Sequence, residues 1–424
     1  MTEVEALSFS NIEGKVIDNF KIMEQFAGGG FSKVHFAQHL PTQSYCAAKV
    51  VDLSIQNTSG FNGIMKEISV YMQVTHPRIV TLYRFSLVDK ILIFFLRFAP
   101  NGTLLNYVGR ENGLREMEAR RLFLQIYDTV LFLHMKHFLV HRDLKLENIL
   151  LDKENNILLT DFGLSDTFYN TTLKSMVGTP GYMPPEVLAG SEYNEKCDVW
   201  SLGICIFLMV TGHLPFSSTS DFRSLITQAE NLQFPECFSP SLIDLLRKMI
   251  CPIMAQRSPL DKLHSHPWLS GLPPISMNFQ PKPIIFYRIN QITDILKYRR
   301  SPIMIEEVTA KICNENQKIE IETIKQDLMD GKINEVTTSY FILMYPYFDK
   351  PAIPLSKTPN VVRSTKRIVE KKNPFLERNP IVPIQPKRVL NSSRERISPP
   401  VNMRPRVIEP KVKQKQKLIK RQWA

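Results

Sequence analysis

Two short runs of the sequence carry side chains suited to phosphoryl transfer. The first, HRDLKLEN, contains Asp143, Lys145 and Asn148, and the second, DFG, begins with Asp161. The Asp143 carboxylate can accept a proton from an attacking hydroxyl, and Lys145 can reach the transferred phosphoryl group. Asn148 and Asp161 offer the oxygen ligands that Mg²⁺ prefers. The two runs therefore predict a site that acts by positioning the reactants and neutralising charge.

A glycine-rich run, AGGGFSKV at 27–34, lies between two apolar stretches and predicts a hairpin turn. Glycines at such a turn let backbone N–H groups approach phosphates without a side-chain clash. Most glycine-rich turns are ordinary turns, so this run alone is a weak indication. Its place upstream of the two catalytic runs favours phosphate binding.

Lys49 and Glu67 are the next charged candidates. Lys49 lies in YCAAKVV, an apolar strand pattern, and Glu67 lies in IMKEISVYM, a helical pattern. A lysine in such a strand is costly to bury without partners. For an isolated lysine, a surface position would be the ordinary interpretation.

These runs, in this order, resemble the motifs of a eukaryotic protein kinase. Later segments extend the resemblance, namely GTPGYMPPE, CDVWSLG, AQRSPL and HPWL. The family implies an α+β, two-lobed protein kinase fold with a small β-rich N-terminal lobe and a larger helical C-terminal lobe. It also implies a structural ion pair between Glu186 and Arg257, and a contact from Asp198 that braces the catalytic loop.

The resemblance implies ATP and Mg²⁺ as cofactors. Lys49 would bind the α- and β-phosphates and pair with Glu67 in the active arrangement, while Asn148 and Asp161 would bind the metal. Leu96 would lie at the back of the adenine pocket, with Phe98 and Ala99 offering backbone bonds to the base. The positions that match the nucleotide-binding pattern are Ala27, Gly28, Gly29, Gly30, Phe31, Ser32, Lys33, Val34, Ala47, Lys49, Leu96, Phe98, Ala99, Thr103, Glu147, Asn148, Leu150 and Asp161.

Lys145 in HRDLKLEN favours Ser or Thr as the acceptor, and Thr179 would bond Asp143 and Lys145 and help to choose it. HRDLKLEN, GFSKV and HPWL together are most similar to the calcium/calmodulin-dependent group. Within that group the sequence resembles the AMP-activated kinase-related family. The resemblance implies a non-specific serine/threonine protein kinase that acts on protein substrates.

Several positions depart from the family pattern. Ala27 and Ser32 replace the first and third glycines of G-x-G-x-x-G-x-V, so we expect an altered flap whose effect falls on nucleotide affinity. Thr103 replaces a common Glu, which weakens the usual preference for Arg upstream of the acceptor. Glu147 could still attract a basic residue.

These departures, together with Arg97, leave a pseudokinase scaffold as the alternative function, acting through nucleotide binding and its C-terminal regions. The presence of the full charged set favours an active kinase, because such charges are costly to keep without use. That set is Lys49, Glu67, Asp143, Asn148 and Asp161.

Regulation is predicted from Arg142, a cation beside the catalytic aspartate that is expected to be buried and to need an anion. In many kinases a phosphate on the activation segment supplies it. By its spacing from the Gly-Thr-Pro sequence that begins GTPGYMPPE, Ser175 occupies the family's phosphorylation position, with Thr171 and Thr172 as nearby alternatives. We predict that an upstream activating kinase phosphorylates Ser175 and so orders the segment.

Five segments are predicted. They are an N-terminal extension (1–18), the kinase domain (19–269), a linker (270–303), a small helical module (304–346) and a basic, proline-rich disordered tail (347–424). Apolar residues keep helical spacing in three stretches of the module. Its run NEVTTSYFIL resembles the last helix of the ubiquitin-associated-like domain of the AMP-activated kinase-related family, and a generic helical extension is the alternative.

The basic character of the chain lies in its tail. The whole chain has a net charge of +12, whereas residues 351–424 hold 19 Lys or Arg and 4 Asp or Glu, which leaves −3 for residues 1–350. The tail also holds 11 of the 29 prolines, and such sequence does not easily bury enough surface to fold alone. It is either a solvated tail or a docking arm for an anionic partner such as an acidic protein, a membrane or a nucleic acid.

Composition also bounds the location. At 43% hydrophobic residues the chain can bury a large core. Its first residues, MTEVEALSFS, are acidic and lack an apolar stretch, so we expect no secretory signal, and no run reaches transmembrane length. Its six cysteines are scattered without metal-binding spacing, which favours a reducing compartment. We expect a cytoplasmic or nuclear protein. No recognised nucleic-acid fold signature occurs, so a function centred on the tail is disfavoured.

Overall fold

The computed structural model describes residues 7–30, 32–217, 221–272, 282–286, 312, 320–330, 332 and 334–343. All of them belong to one compact unit, Met1–Leu355. Phe31, most of the 270–303 linker, the first predicted helix of the 304–346 module apart from Ile312, and the whole 347–424 tail lie outside the described residues.

A six-stranded antiparallel sheet forms the N-terminal lobe, in the order β1-β2-β3-β4-β6-β5. Its strands are β1 (Val16–Ile17), β2 (Phe20–Gly28), β3 (Ser32–His39), β4 (Ser44–Asp52), β5 (Leu82–Val88) and β6 (Ile91–Leu96). Strand β6, ILIFFL, is buried at every position because both faces of the sheet are covered.

Helix α1 (Thr58–Gln73) covers one face of this sheet. Asn57 caps its first turn by accepting a hydrogen bond from the backbone N–H of Gly60 at 2.9 Å. Ile64 and Ile68 pack into the core from the buried side of the helix, which also carries Glu67. Burial of this face therefore brings a carboxylate toward the sheet.

The C-terminal lobe is mainly helical. Its helices are α2 (Leu104–Glu111), α3 (Glu116–His137), α4 (Pro185–Leu188), α5 (Lys196–Thr211), α6 (Phe222–Glu230), α7 (Pro240–Met249) and α8 (Leu260–Leu263). Its short antiparallel pairs are β7 (Leu139–Val140) with β10 (Asp166–Thr167), and β8 (Ile149–Leu151) with β9 (Ile157–Leu159). The predicted two-lobed α+β architecture is confirmed.

Helix α5 is the central core helix of this lobe, buried from Cys197 to Met209. Its apolar run therefore packs within the protein. Among the helices that the structure describes, none combines the length and the apolar character needed to span a bilayer.

Two further helices, α9 (Ile321–Met329) and α10 (Glu335–Leu343), pack against the other face of the N-terminal sheet. Ile324, Leu328 and Tyr340 join a buried cluster with Ile12 and Tyr83. The apolar spacing in the second and third stretches of the predicted module thus corresponds in part to buried helix faces, since Ile324, Leu328, Tyr340 and Phe341 are buried, whereas Ile321 at the start of α9 is exposed. The predicted helical spacing also includes Ile305 and Val308 in the first stretch and Met344 in the third, with Gly331 as a helix stop between the second and third; these four residues lie outside the described residues.

Residues 282–286, here called the strap, run past α1 and the end of α3. The Gln73 amide donates to the Ile285 carbonyl at 2.6 Å and accepts from its N–H at 3.1 Å. His137 Nδ1 lies 2.9 Å from the Lys282 carbonyl oxygen, and Ile284 is buried. The strap therefore contacts one helix from each lobe.

Candidate active site

Strand β4 and helix α1 bring together the first charged pair. Lys49 Nζ lies 2.8 and 2.7 Å from the two carboxylate oxygens of Glu67. Burial of Lys49 disfavours its ammonium form, but the carboxylates of Glu67 and Asp161 outweigh this cost and raise the pKa of Lys49. Lys49 is therefore held as a cation facing Asp161, where phosphate charge could be neutralised.

The catalytic loop surrounds Asp143 with donors. Its carboxylate accepts from the Thr179 hydroxyl at 2.6 Å and from Asn148 Nδ2 at 3.0 Å, and Lys145 Nζ lies 2.8 Å away. Burial alone would raise the pKa of Asp143, but the bonds from Lys145 and Thr179 prevail and lower it. Asp143 is thus an ionised carboxylate, able to accept a proton.

Asp198 on α5 fixes the backbone of this loop. Its carboxylate accepts from the backbone N–H groups of His141 at 2.8 Å and Arg142 at 2.9 Å, and from His134 Nε2 at 2.9 Å. Burial would raise the pKa of Asp198, but the His134 interaction and the backbone donor outweigh it and lower the pKa. Arg142 has φ +67°, a left-handed conformation that is rare for non-glycine residues, and the two bonds to Asp198 hold it.

Asp161 also has a left-handed backbone, with φ +65°. A Cβ built on Gly163 would lie 3.5 Å from its Oδ1, so Gly163 leaves space beside this carboxylate. Across the described residues no group of three or more His, Cys, Asp or Glu could hold a metal. Mg²⁺ does not require such a cluster, because it takes most of its ligands from substrate phosphates and water. One amide and one carboxylate, those of Asn148 and Asp161, are therefore a suitable pair of protein ligands for this ion.

The glycine-rich run is the β2–β3 hairpin. Gly28 has φ +131°, and an added Cβ would lie 2.7 Å from Lys33 Cα, so only glycine fits there. Gly29 N–H donates to the Ser32 carbonyl at 2.8 Å. Added Cβ atoms on Gly29 and Gly30 would meet nothing within 4 Å, which leaves room above the site for a ligand. Ala27 pairs with Val34 in the strand register.

The remaining predicted pocket residues line the junction of the lobes. Ala47 pairs with Leu96 between β4 and β6, and both are buried. Phe98 and Ala99 follow β6 and pack, like Leu150, against the main core. Glu147, on the catalytic loop, accepts from the Tyr182 hydroxyl at 3.2 Å.

Thr103 acts as a helix cap at this junction. Its hydroxyl accepts from the Asn106 N–H at 3.1 Å at the start of α2, and its backbone bridges to Leu150. Thr103 therefore contributes structure where the family commonly has a carboxylate.

An aromatic cluster beside the glycine-rich run was missed from the sequence. Phe26 lies 4.4 Å from Phe36 and 5.8 Å from Phe98, between ring centroids. Phe26 lies on β2 and Phe36 on β3, and these two strands pair in antiparallel register. Aromatic residues on two strands predicted to form a hairpin could have indicated this contact. Arg97, one of the departures from the family pattern, has an ion-pair role that the sequence does not predict. Its NH2 lies 3.5 Å from the buried Asp152 carboxylate.

The activation segment differs from expectation around Arg142. The anion beside this guanidinium is the Asp166 carboxylate, 3.0 Å from NH2. Ser175 is exposed, and its carbonyl accepts from the Tyr193 hydroxyl at 2.7 Å. Thr171 and Thr172 are exposed as well. The need for an anion was thus recognised from the sequence, whereas its source within the chain was not.

Arg257 and Glu186 form the ion pair that the resemblance implied. Arg257 NH1 and NH2 lie 2.6 and 3.0 Å from the two carboxylate oxygens of Glu186, and Arg257 is completely buried. This pair ties the end of the activation segment to the loop that follows α7.

Comparison with known proteins, like the geometry of the site, indicates a protein kinase. The protein kinase domain family matches residues 20–269. The chain is similar to the SNF-related serine/threonine-protein kinases of Rattus norvegicus and Homo sapiens, at 29% identity over 337 residues, covering 78% of this chain and 43% and 42% of theirs. It is also similar to serine/threonine-protein kinase SIK2 of Gallus gallus, at 28% identity over 352 residues, covering 82% of this chain and 42% of that protein.

The chain aligns with less than half the length of these relatives. The resemblance to Ser/Thr kinases related to the AMP-activated kinase is confirmed by the matches. Since the family match spans more than half of the chain, from the start of β2 in the N-terminal lobe to Leu269 in the C-terminal lobe, the chain belongs to the protein kinase domain family.

Proposed function

We propose that this chain is an active Ser/Thr protein kinase that transfers the γ-phosphate of Mg-ATP to hydroxyl groups of protein substrates. One observation carries the proposal. The Asp143 carboxylate is bonded to Thr179, Lys145 and Asn148, while the ion pair between Lys49 and Glu67 is formed in the same structure. A scaffold without activity would have no need for both arrangements.

Each residue of the site has a separate role in the proposed transfer. The substrate hydroxyl donates its proton to Asp143 as its oxygen bonds to the γ-phosphorus, and the bond from that phosphorus to the bridging oxygen breaks so that ADP leaves. Thr179 keeps the Asp143 carboxylate oriented. Lys145, beside Asp143, neutralises the negative charge of the transferred phosphoryl group, and Lys49 neutralises the charge of the α- and β-phosphates. Asn148 and Asp161 would hold Mg²⁺, which supplies further neutralisation of phosphate charge when bound. The glycine-rich hairpin would cover the phosphates with backbone N–H groups.

We further propose that an upstream kinase phosphorylates Ser175 and raises activity. Its exposed position makes the hydroxyl accessible, and its carbonyl is already linked through Tyr193 to Arg142, whose NH1 lies 3.2 Å from the Tyr193 hydroxyl. Added phosphate would order the segment further. Ser175→Ala is expected to lower activity by about fivefold; undiminished activity would remove this part of the proposal.

The location and the tail are proposed from composition. The scattered cysteines favour the cytosol or nucleus, and the excess of 19 basic over 4 acidic residues in 351–424 favours an anionic partner. Truncation before residue 351 should alter location or retention on anionic surfaces. An unchanged distribution would leave the tail as a solvated extension.

The deciding experiment measures phosphate transfer from Mg-ATP to a Ser/Thr peptide pool by wild type and Asp161→Asn. Asp261→Asn, on α8 and outside the site, is the matched control. Loss in Asp161→Asn alone, with metal dependence in wild type, is the expected result. No transfer by wild type, even after incubation with upstream kinases, would favour the pseudokinase alternative.

A further inference from the structure

The Arg142 guanidinium is almost fully enclosed, with its side chain only 4% exposed. Its Nε donates to the Leu164 carbonyl at 2.6 Å, NH1 lies 3.2 Å from the Tyr193 hydroxyl, and NH2 donates to Asp166 Oδ2 at 3.0 Å. A buried guanidinium is costly unless an anion lies beside it. Asp166 meets that requirement with a residue of the chain itself.

The backbone on either side of Asp166 fixes the position of its carboxylate. Strand β10 pairs with β7, which sets Asp166 opposite Val140, two residues before Arg142. Its Oδ1 accepts from the Thr167 N–H at 3.0 Å, which leaves Oδ2 for cations. The carboxylate is thus aimed at the catalytic loop by a strand pair and a local hydrogen bond.

The same oxygen reaches the N-terminal lobe. Lys66 Nζ on α1 lies 2.7 Å from Asp166 Oδ2. Lys66 is the neighbour of Glu67, the partner of Lys49, so the carboxylate links the helix that carries this ion pair to the loop that carries Asp143. Lys66 also lies 5.4 Å from the Phe286 ring of the strap, which holds its side chain on this side of α1.

We propose that Asp166 is a positioning residue that takes over, within the chain, the role of an activation-segment phosphate. One carboxylate oxygen neutralises Arg142 and binds Lys66, so that α1 and the catalytic loop are set for transfer before Ser175 is modified. This inference rests on the proposed kinase function. Phosphorylation would then adjust an activity that is already present, because the buried cation is already neutralised.

The test uses the full chain after phosphatase treatment, with mass spectrometry to verify that Ser175 carries no phosphate. Wild type should keep a kcat within about tenfold of the phosphorylated form. Asp166→Asn, which keeps the shape and removes the charge, should lower kcat by about tenfold to a hundredfold with the KM for ATP changed less than about twofold. Asp166→Glu should restore most of the loss, which a purely structural role would not require.

Two further variants sharpen the result. Lys66→Gln should lower kcat in the same direction, and its effect should be less than additive with Asp166→Asn because both act through one oxygen. Lys174→Gln is the matched control, since Lys174 forms an exposed ion pair with Glu192 in the same segment, at 2.6 Å. It should leave kcat unchanged.

A readout independent of activity separates this inference from the kinase assignment. Hydrogen exchange in 58–73 and 141–148 should be faster in Asp166→Asn and Lys66→Gln than in wild type, and unchanged in Lys174→Gln. Unaltered exchange, a fully active Asp166→Asn, or an unphosphorylated wild type more than about a hundredfold less active than the phosphorylated form would each overturn the inference. The last two results would leave the kinase function intact.

Discussion

The Thr179 hydroxyl donates to the Asp143 carboxylate at 2.6 Å, across 36 residues of sequence, while Lys145 Nζ donates to the same hydroxyl at 2.7 Å. The hydroxyl thus bridges the base and the cation of the catalytic loop. Thr179→Ala should lower kcat about tenfold to a hundredfold, because the carboxylate loses a partner that orients it. Thr179→Ser keeps the hydroxyl and should retain most activity. Equal kcat values for the Ala variant and wild type in steady-state transfer assays would refute this role.

The pH dependence of Thr179 variants gives a second prediction. The pKa of Asp143 lies below its ordinary value, so the proton-accepting carboxylate persists into more acidic solution than that of an ordinary aspartate and is lost as the pH falls through the lowered pKa. Thr179→Val removes one of the bonds that lower this pKa, so the acidic limb of kcat/KM should move to higher pH. The profile is measured with substrate and metal held constant. An acidic limb at the same pH in both proteins would contradict the assignment.

The Lys49–Glu67 pair should matter for rate more than for folding. Lys49→Met should lower kcat by about 10² to 10³, since a preorganised charge facing the phosphates is lost. Glu67→Gln should produce a smaller loss, because Lys49 remains but is less firmly held. Their combined effect should be far from additive. Single-turnover transfer and thermal melts of each variant check this, with Lys174→Gln as control, and an additive double variant would argue against a functional pair.

The Glu186–Arg257 pair should matter mainly for stability. Glu186→Gln leaves the fully buried guanidinium without its anion and should lower the free energy of unfolding by about 3–5 kcal/mol. Urea denaturation followed by circular dichroism measures the change. The exposed pair of Lys174 and Glu192 supplies the comparison, because its removal should leave the midpoint unchanged. Similar midpoints for all variants would mean that the buried pair is dispensable.

Substrate preference is predicted at Thr103. Its hydroxyl caps α2 and offers no charge, so a peptide library should show little preference for Arg upstream of the acceptor. Thr103→Glu places a carboxylate at this position and should create such a preference, by about threefold to tenfold in kcat/KM. Thr103→Ser, which keeps the cap, is the control. A strong preference of wild type for Arg upstream of the acceptor would contradict this prediction and would mean that another residue, such as Glu147, recognises the basic side chain.

The catalytic loop can be predicted from the sequence because its residues are neighbours in the chain. Asp143, Lys145 and Asn148 share one short loop, whose spacing alone limits how far apart their side chains can lie. Strand and helix periodicity likewise placed Lys49 and Glu67 on elements with a buried face. The link between those two residues, and that between Glu186 and Arg257, came from the family resemblance, since spacing carries no such information.

Contacts between charged residues that are far apart in the sequence depend on the folded structure. Lys66 and Asp166 are 100 residues apart, and nothing in either local pattern indicates the other. The left-handed backbones of Arg142 and Asp161 are unexpected for residues with a Cβ, and at Arg142 the bonds to Asp198 hold this conformation. A buried guanidinium requires an anion, as its sequence position already suggested, but distance in space selects which one. Here that distance selects the Asp166 carboxylate, because β10 lies beside β7 just before the catalytic loop.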